Sequence, residues 1–408
     1  SKGPHIHLEM HKTKSNNLCD PLDFLKSFIK DKTAPAVYSF KSYPQPGEGV
    51  FQHSPDSRIF TFDKGRFQAW GKVGFGIRAN DHMDSVYNNY GVRYTRLYCD
   101  GKLVFASDVN NIPVSCNRMV NSWGDYDHFL HTKIWFMKSF IEPGNTLPIL
   151  RAGADRGIIN FNQQRDYHLR YVVSDAFGNQ TVKEFMVHGE PQAIPSVAKP
   201  EGGLPLYCKK DNHINADGVR LNIQKGLLAK DGWLLMRTVP MGNALSMGYS
   251  FSKAPYPLFN YAEINIKAKD GIRNPEKLYI AARNSAAGGG PSAYCGGIYT
   301  NGWVKGRFRE LSDIYFLTSD ETAPLITKMN LDPRHLFFKI TDSGSGLKAY
   351  QASVDGEFIL LEFGKNKEVF FCDLTETPVQ RTGKERTLKV SAVDNRDNRR
   401  EFVTKIKY

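Results

Sequence analysis

Asp31-Lys32-Thr33-Ala34-Pro35 returns much later in the chain as Asp320-Glu321-Thr322-Ala323-Pro324. Each copy leads into a strand-like run, Ala36-Val37-Tyr38-Ser39-Phe40 and Leu325-Ile326-Thr327-Lys328-Met329. Each then carries an Asp-Gly pair between alternating apolar residues, in Leu97-Tyr98-Cys99-Asp100-Gly101-Lys102-Leu103-Val104-Phe105 and in Ala352-Ser353-Val354-Asp355-Gly356-Glu357-Phe358. Asp-Gly tolerates the positive φ angles of a two-residue hairpin, so both stretches predict hairpins. Both copies also close alike. Tyr171-Val172-Val173-Ser174 runs into Asp175-Ala176-Phe177-Gly178-Asn179, and Val390-Ser391-Ala392-Val393 into Asp394-Asn395-Arg396-Asp397-Asn398, with a further strand after each turn. One module is used twice, the first time enlarged by insertions. Strands broken by turn signals every 8–12 residues or so predict an Ig-like β-sandwich for each copy.

The segment between the copies opens after a Pro- and Gly-rich stretch, Pro191 through Pro205. Gly232-Trp233-Leu234-Leu235-Met236-Arg237, Ala262-Glu263-Ile264-Asn265-Ile266-Lys267 and Lys277-Leu278-Tyr279-Ile280-Ala281 read as strands of another sandwich, of different lineage. The fold class predicted is mainly β, as tandem β-sandwiches over 32–190, 195–319 and 320–408. The 26 Phe and 19 Tyr suit that class better than a helical one. One helix is predicted, over Pro21 to Lys30, with Asp20 as N-cap, Pro21 as first residue and Leu22, Leu25 and Ile29 on one face.

The chain has 408 residues and a formal net charge of +12, which favours anionic surroundings such as nucleic acid, anionic lipid or wall polymer. The basic residues are scattered, with no run beyond two such as Arg399-Arg400, and aromatics do not interleave with them. That pattern argues against nucleic acid as a partner. The six cysteines, Cys19, Cys99, Cys116, Cys208, Cys295 and Cys372, include no CxxC pair for a zinc site. Their spacing does not resemble a disulfide framework. Cys99 and Cys116 are near enough in sequence to bridge a hairpin, and free buried thiols are the other reading. No apolar run approaches the roughly 18 residues that span a bilayer.

The opening residues hold the sharpest candidate chemistry. In Ser1-Lys2-Gly3-Pro4-His5-Ile6-His7-Leu8-Glu9, strand alternation sends His5 and His7 to one face. Two neighbouring imidazoles suit a metal ligand beside a base; surface histidines are the plain alternative. Gly3 to Glu9, followed by Asn17-Leu18-Cys19-Asp20-Pro21-Leu22-Asp23-Phe24-Leu25, resembles the end of the lysostaphin-type (LytM-like) zinc metallopeptidases, which cut peptide cross-links in peptidoglycan. Leu8 stands where that family usually has Phe. The resemblance implies that His7 is a zinc ligand, that His5 is the catalytic histidine acting on the attacking water, and that Glu9 is structural. It makes residues 1–31 the C-terminal remnant of a β-rich peptidase domain. The family's other two ligands come from an upstream His-x-x-x-Asp motif, and the expectation is that this chain lacks them and is catalytically incomplete. The downstream sandwiches also resemble the long β extensions that lysostaphin-type domains carry in envelope proteins of Bacteroides-like bacteria. That resemblance implies an exported protein of the periplasm, cell envelope or extracellular space, with peptidoglycan cross-links, and also envelope proteins or glycans, as partners.

Weaker candidates remain. His128-Phe129-Leu130-His131 places two imidazoles near one another, among apolar neighbours that favour packing. The Asp175 and Asp394 turns cluster oxygen donors. Neither fits the spacing of a known calcium loop, and Asx-type turn chemistry explains them. Asp342-Ser343-Gly344-Ser345-Gly346-Leu347 lacks the strand–turn–helix setting of a serine nucleophile and reads as a tight turn. Trp233, Tyr256, Tyr261 and Trp303 have the chemistry to stack on sugars if exposed, though a sandwich core is the expected place for most of them. The two functions carried forward are the C-terminal portion of a peptidoglycan-hydrolysing zinc peptidase and, as the alternative, a non-catalytic envelope adhesion, scaffold or glycan-binding β-sandwich protein.

Overall fold

A computed structural model describes residues 8–84, 86–252, 257–283, 293–329, 335–363 and 368–408. Within them the chain is mainly β, built as tandem sandwiches around three separate hydrophobic cores.

The third core shows the repeated module in its simplest form. One sheet contains Leu325–Met329, His335–Thr341, Val369–Asp373 and Glu362–Phe363; the other contains Glu357–Ile359, Leu347–Val354, Glu385–Asp394 and Arg399–Lys407. Inward positions alternate with outward ones as a half-buried strand requires: Leu388, Val390 and Ala392 are fully buried between exposed or half-buried neighbours.

The first core repeats that pairing with longer strands. Ala36–Phe51 pairs with Arg66–Asn80, which also pairs with Ile159–Phe161. The hairpin Tyr94–Cys99 and Lys102–Asp108 joins Asp166–Ser174, which pairs in turn with Gln180–Gly189. Gln180–Gly189 runs parallel to Arg66–Asn80 at its end, so one continuous ten-stranded sheet encloses the first core where the third has two sheets. Register shifts in Ala36–Phe51 between Val37 and Ser39 and between Pro44 and Gly49 let this 16-residue strand change direction. The core is aromatic. Phe40, fully buried, stacks on Phe185 at 4.4 Å and meets Phe67 edge-on at 5.1 Å. Tyr171, equally buried, donates its hydroxyl to Ser139 Oγ at 2.9 Å, as a buried phenol must.

Both Asp-Gly hairpins form as two-residue turns. Asp100 and Gly101 have φ of 50° and 78°, and Asp355 and Gly356 have 49° and 91°.

The second core lies between two five-stranded sheets. One runs Asn212–Ala216, Val219–Ile223, Pro257–Lys267, Trp303–Glu310, Ile298–Thr300; the other runs Arg237–Val239, Gly248–Ser250, Ile314–Ser319, Leu278–Arg283, Ala293–Tyr294. Leu221, Ile264, Ile280, Val304 and Leu317 fill it without solvent exposure.

The predicted helix over 21–30 is one turn, Leu22–Leu25. Asp20 Oδ1 still accepts from Leu22 N at 3.0 Å. The stretch is too short to hold a helix without a packed apolar face, and Phe24 and Phe28 point into solvent. Residues 8–30 are instead pinned to the first sandwich. Leu18 and Ile112 exchange backbone hydrogen bonds at 2.8 Å, and the buried Arg93 guanidinium holds Asp20 (2.8 Å), Asp23 (3.3 Å) and Asp108 (2.6 Å).

Candidate functional site

The repeated sequence module builds a repeated cluster of carboxylates. In the first sandwich, Asp31 precedes the strand Ala36–Phe51, Asp81 directly follows Arg66–Asn80, and Asp175 opens the turn between Asp166–Ser174 and Gln180–Gly189. In the third, Asp320 precedes Leu325–Met329, Asp342 directly follows His335–Thr341, and Asp394 closes Glu385–Asp394 before Arg399–Lys407. These are the same three topological positions. In each cluster, one oxygen from each carboxylate lies within 4.8 Å of the others.

Local turn chemistry fixes two members of each triad in the same way, with one more backbone donor in the first. Asp175 Oδ1 accepts from the backbone N–H groups of Phe177, Gly178 and Asn179 at 2.7–2.9 Å, and Asp394 Oδ1 from those of Arg396 and Asn398 at 2.7 and 2.9 Å. The amide of Asn179 then bridges Asp175 Oδ2 (2.7 Å) and the Asp31 carbonyl (3.1 Å), while that of Asn398 bridges Asp394 Oδ2 (2.7 Å) and the Asp320 carbonyl (2.9 Å). Asp31 Oδ1 and Asp320 Oδ1 each accept from the N–H two residues on, Thr33 and Thr322. The Asx-type chemistry read from the sequence is therefore present. What the sequence hid is that each turn faces two further acids.

The clusters differ in how their remaining oxygens are satisfied. In the third sandwich Ser345 donates both N–H and Oγ–H to Asp320 Oδ2 at 2.7 Å, and Gly344 and Gly346 donate N–H to Asp342 Oδ2 at 3.0 and 2.7 Å. In the first, Asp31 Oδ2 and Asp81 Oδ1 are shielded from solvent and have no donor among the described residues. Asp31, Asp81 and Asp175 are 8 %, 3 % and 1 % exposed. Three ionised carboxylates at such spacing repel by about 3 kcal/mol per pair at an effective dielectric of about 20. Burial, then Asp175 and Asp31, push the Asp81 carboxyl up to about 6. Asp342 is raised in the same sense, chiefly by burial.

His5 and His7 lie outside the described residues. Glu9, the residue read as structural beside them, is exposed and pairs with His11 at 3.2 Å. A His-x-x-x-Asp spacing does occur downstream, at His213 and Asp217. His213 sits on an exposed strand position with its Nδ1 2.9 Å from Asn222 Oδ1, and neither residue joins a described group of potential metal ligands. Packing dominates at His128, whose ring meets Phe136 edge-on at 5.3 Å, while His131 Nδ1 turns to the Asp127 carbonyl at 2.8 Å. The six cysteines are free thiols; burial pushes Cys99 and Cys295 up to about 12. Cys208 and Cys372 are buried, and the other four are only half-buried.

Two of the aromatics expected in the core are on the surface. Trp233 is 43 % exposed beneath Lys199, and Tyr261 is 47 % exposed between Arg307 and Arg309. Trp303 is half-buried under the Arg220 guanidinium, 3.9 Å from the ring centroid. Tyr256 lies outside the described residues. A polar cleft between the second and third sandwiches is lined by Tyr279, Tyr294, Phe316, Arg283 and the 342–346 turn, so the third sandwich's cluster borders it.

These features define a tandem β-sandwich protein with a duplicated, buried carboxylate cluster. Residues 204–320 match the Zu5-like domain family, which places that family's likeness on the second sandwich. No curated protein matches the chain. Among solved structures, the chain is similar at 10 % identity to a 1.5-MDa bacterial ice-binding adhesin involved in host cell surface retention, covering 89 % of this chain and 98 % of that one with a TM-score of 0.14. A Ca2+-stabilized, ice-binding adhesin of an Antarctic bacterium is similar at 9 % identity, covering 91 % and 90 %, TM-score 0.14. The M60 catalytic domain with two CBM51 domains of Clostridium perfringens ZmpB is similar at 10 %, covering 93 % and 40 %, TM-score 0.11. Scores this low do not define a common fold over the whole chain.

Proposed function

We propose that this chain is a non-catalytic structural arm of the cell envelope, a scaffold that holds whatever it joins at fixed spacing against an anionic, glycan-rich surface. The observation that carries this reading is the construction of its two junctions. Between the first and second sandwiches, Arg118 donates to the Leu258 carbonyl (3.0 Å) and pairs with Glu310 (2.8 Å), while Gly144 N–H donates to the Ala229 carbonyl (2.6 Å). Between the second and third, Arg396 donates to the carbonyls of Gly297 and Glu276, and Lys277 Nζ donates to the Arg396 carbonyl (2.8 Å) and Asn398 Oδ1 (2.6 Å). Domains joined by loose linkers move relative to one another by default; polar contacts to backbone at both joints oppose that motion. The net charge of +12 and the exposed cationic–aromatic sites at Trp233 and Tyr261 suit an anionic glycan surface.

No helix among the described residues is long and apolar enough to cross a membrane. The motif Gly3-Pro4-His5-Ile6-His7 supports a second reading, in which the arm belongs to a zinc peptidase, with His7 on the metal and His5 handling the water's proton. One experiment addresses both. The chain is incubated with insoluble peptidoglycan at low and high salt, with and without zinc, and sedimented. Retention without release of new amino groups supports the arm. A chain left in the supernatant at both salt concentrations overturns the envelope contact, and zinc-dependent release of amino groups overturns the non-catalytic assignment.

A further inference from the structure

We propose that Asp31, Asp81 and Asp175 form a binding site for one Ca2+ ion in the first sandwich, and that the equivalent triad of the third, Asp320, Asp342 and Asp394, is closed by Ser345 and takes none.

The two clusters share fold positions, a bridging asparagine and turn geometry, so each serves as the control for the other. They part in how the remaining carboxylate oxygens are satisfied. Ser345, through its N–H and hydroxyl, occupies Asp320 Oδ2 in the third sandwich. Asp84 N–H reaches the corresponding aspartate in the first, but bonds Asp31 Oδ1 at 3.3 Å and leaves Oδ2 unpartnered. Asp81 Oδ1 is likewise without a donor among the described residues. Both side chains are more than nine-tenths buried. Solvent-shielded carboxylate oxygens that no N–H or O–H satisfies call for a cation or a proton.

The chemistry of the site selects the ion. All three donors are hard oxygens, with no imidazole or thiolate among them, which favours Ca2+ or Mg2+ over zinc or copper. The three oxygens lie within 4.8 Å of one another, close enough for one ion to reach all of them at the roughly 2.4 Å of a Ca2+–oxygen bond. Mg2+ demands a near-ideal octahedron at about 2.1 Å, whereas Ca2+ accepts irregular oxygen geometry, and Asp175, tied by three backbone N–H groups, is not free to adjust. Asp175 keeps a free lone pair on Oδ2, which accepts a single amide donor. The exposed Asp84 carboxylate is engaged by Thr33 Oγ (2.6 Å) and the Lys32 N–H (3.3 Å) at the rim, so it adds negative potential without competing for the centre. A bound ion would tie the Asp31 segment, the end of Arg66–Asn80 and the 175–179 turn into one unit.

The test uses the full chain, stripped with chelator and titrated calorimetrically with CaCl2 and, separately, MgCl2, with thermal melting in parallel. The expected result is one Ca2+ per chain and a melting temperature that rises by several degrees once Ca2+ stands about a hundredfold above its dissociation constant, because only the folded state holds the triad together. Mg2+ should give a smaller shift. Asp81→Asn should abolish the Ca2+ heat and the thermal shift while leaving the far-ultraviolet circular dichroism unchanged, and Asp342→Asn should leave both responses intact. If Asp81→Asn fails to fold, Asp31→Asn serves the same purpose. No Ca2+ heat in the parent chain, or an undiminished response in a folded Asp81→Asn or Asp31→Asn chain, overturns the site. Two Ca2+ per chain, or loss of the response in Asp342→Asn, overturns the asymmetry between the copies. Equal affinity for Mg2+ overturns the choice of ion.

Discussion

Arg93 is 6 % exposed and holds Asp20, Asp23 and Asp108 at once, so one guanidinium screens three carboxylates from one another. Removing it leaves three carboxylates together, and because Asp23 and Asp108 are partly solvated the cost falls below the about 3–5 kcal/mol of a fully buried pair. Arg93→Ala should therefore lower the urea midpoint of the first sandwich. It should also open a protease-sensitive site within residues 8–30, whose hold on the sandwich runs through that guanidinium; mass mapping of the first cleavage product checks it. Asp313 presents the opposite situation, a carboxyl raised to about 6 by burial. The folded state keeps its proton between the unfolded value, near 4, and that figure, so its contribution to stability falls as pH rises through this window. Asp313→Asn removes the penalty. Melting curves of parent and variant should coincide below about pH 3 and separate by about 1 kcal/mol near pH 7 in favour of the variant, after allowance for solvent screening.

At the level of single elements, two glycines separate conformational from steric demand. Gly101 holds φ of 78° at the tip of its hairpin, and an added Cβ there would meet open space. Gly101→Ala should cost about 1 kcal/mol from left-handed strain alone, read from the denaturant midpoint. Gly49 has no such φ, yet a Cβ there would stand 2.0 Å from the Lys72 carbonyl of the paired strand. Gly49→Ala must part the two longest strands and should cost clearly more than Gly101→Ala in the same assay. The Asp-Gly hairpin was legible in the sequence because its turn is decided by two adjacent residues. The repeated Asp-x-Thr-Ala-Pro stretches and their Asp…Asn turns were legible for the same reason. Asp81 and Asp342 were not. Each joins its cluster only because a strand of different length, Arg66–Asn80 or His335–Thr341, ends at the same point of the sandwich. No spacing rule along the chain reports that convergence. Surface exposure of Trp233 and Tyr261 was equally hidden, since it depends on which face of a strand a neighbouring element covers.

For the whole molecule, the insertions that enlarge the first module have a structural consequence. They lie between Lys102–Asp108 and Ile159–Phe161, and they carry both Arg118 and Gly144 to the second sandwich. The smaller third module reaches the second sandwich through its own turn residue, Arg396, beside the carboxylate cluster. In the proposed arm, stiffness would reside in a few contacts that can be loosened without touching any core. Gly144 is the cleanest place to do so. A Cβ there would fall 2.0 Å from the Leu228 carbonyl and 3.1 Å from Cys208 Cβ, both in the second sandwich. Two backbone carbonyls and a Cβ offer no flexible side-chain end to give way, so Gly144→Ala must push the first two sandwiches apart and break the Gly144 to Ala229 hydrogen bond. All three hydrophobic clusters remain as they are, so far-ultraviolet circular dichroism should not change. Small-angle scattering should show a larger maximum dimension and a broader distance distribution than the parent chain. Calorimetry should split off the first sandwich's transition at a lower temperature, because it loses the support of its neighbour. An unchanged scattering profile for a folded Gly144→Ala chain would mean that the junction does not set the spacing of the sandwiches, and the scaffold reading would lose its basis.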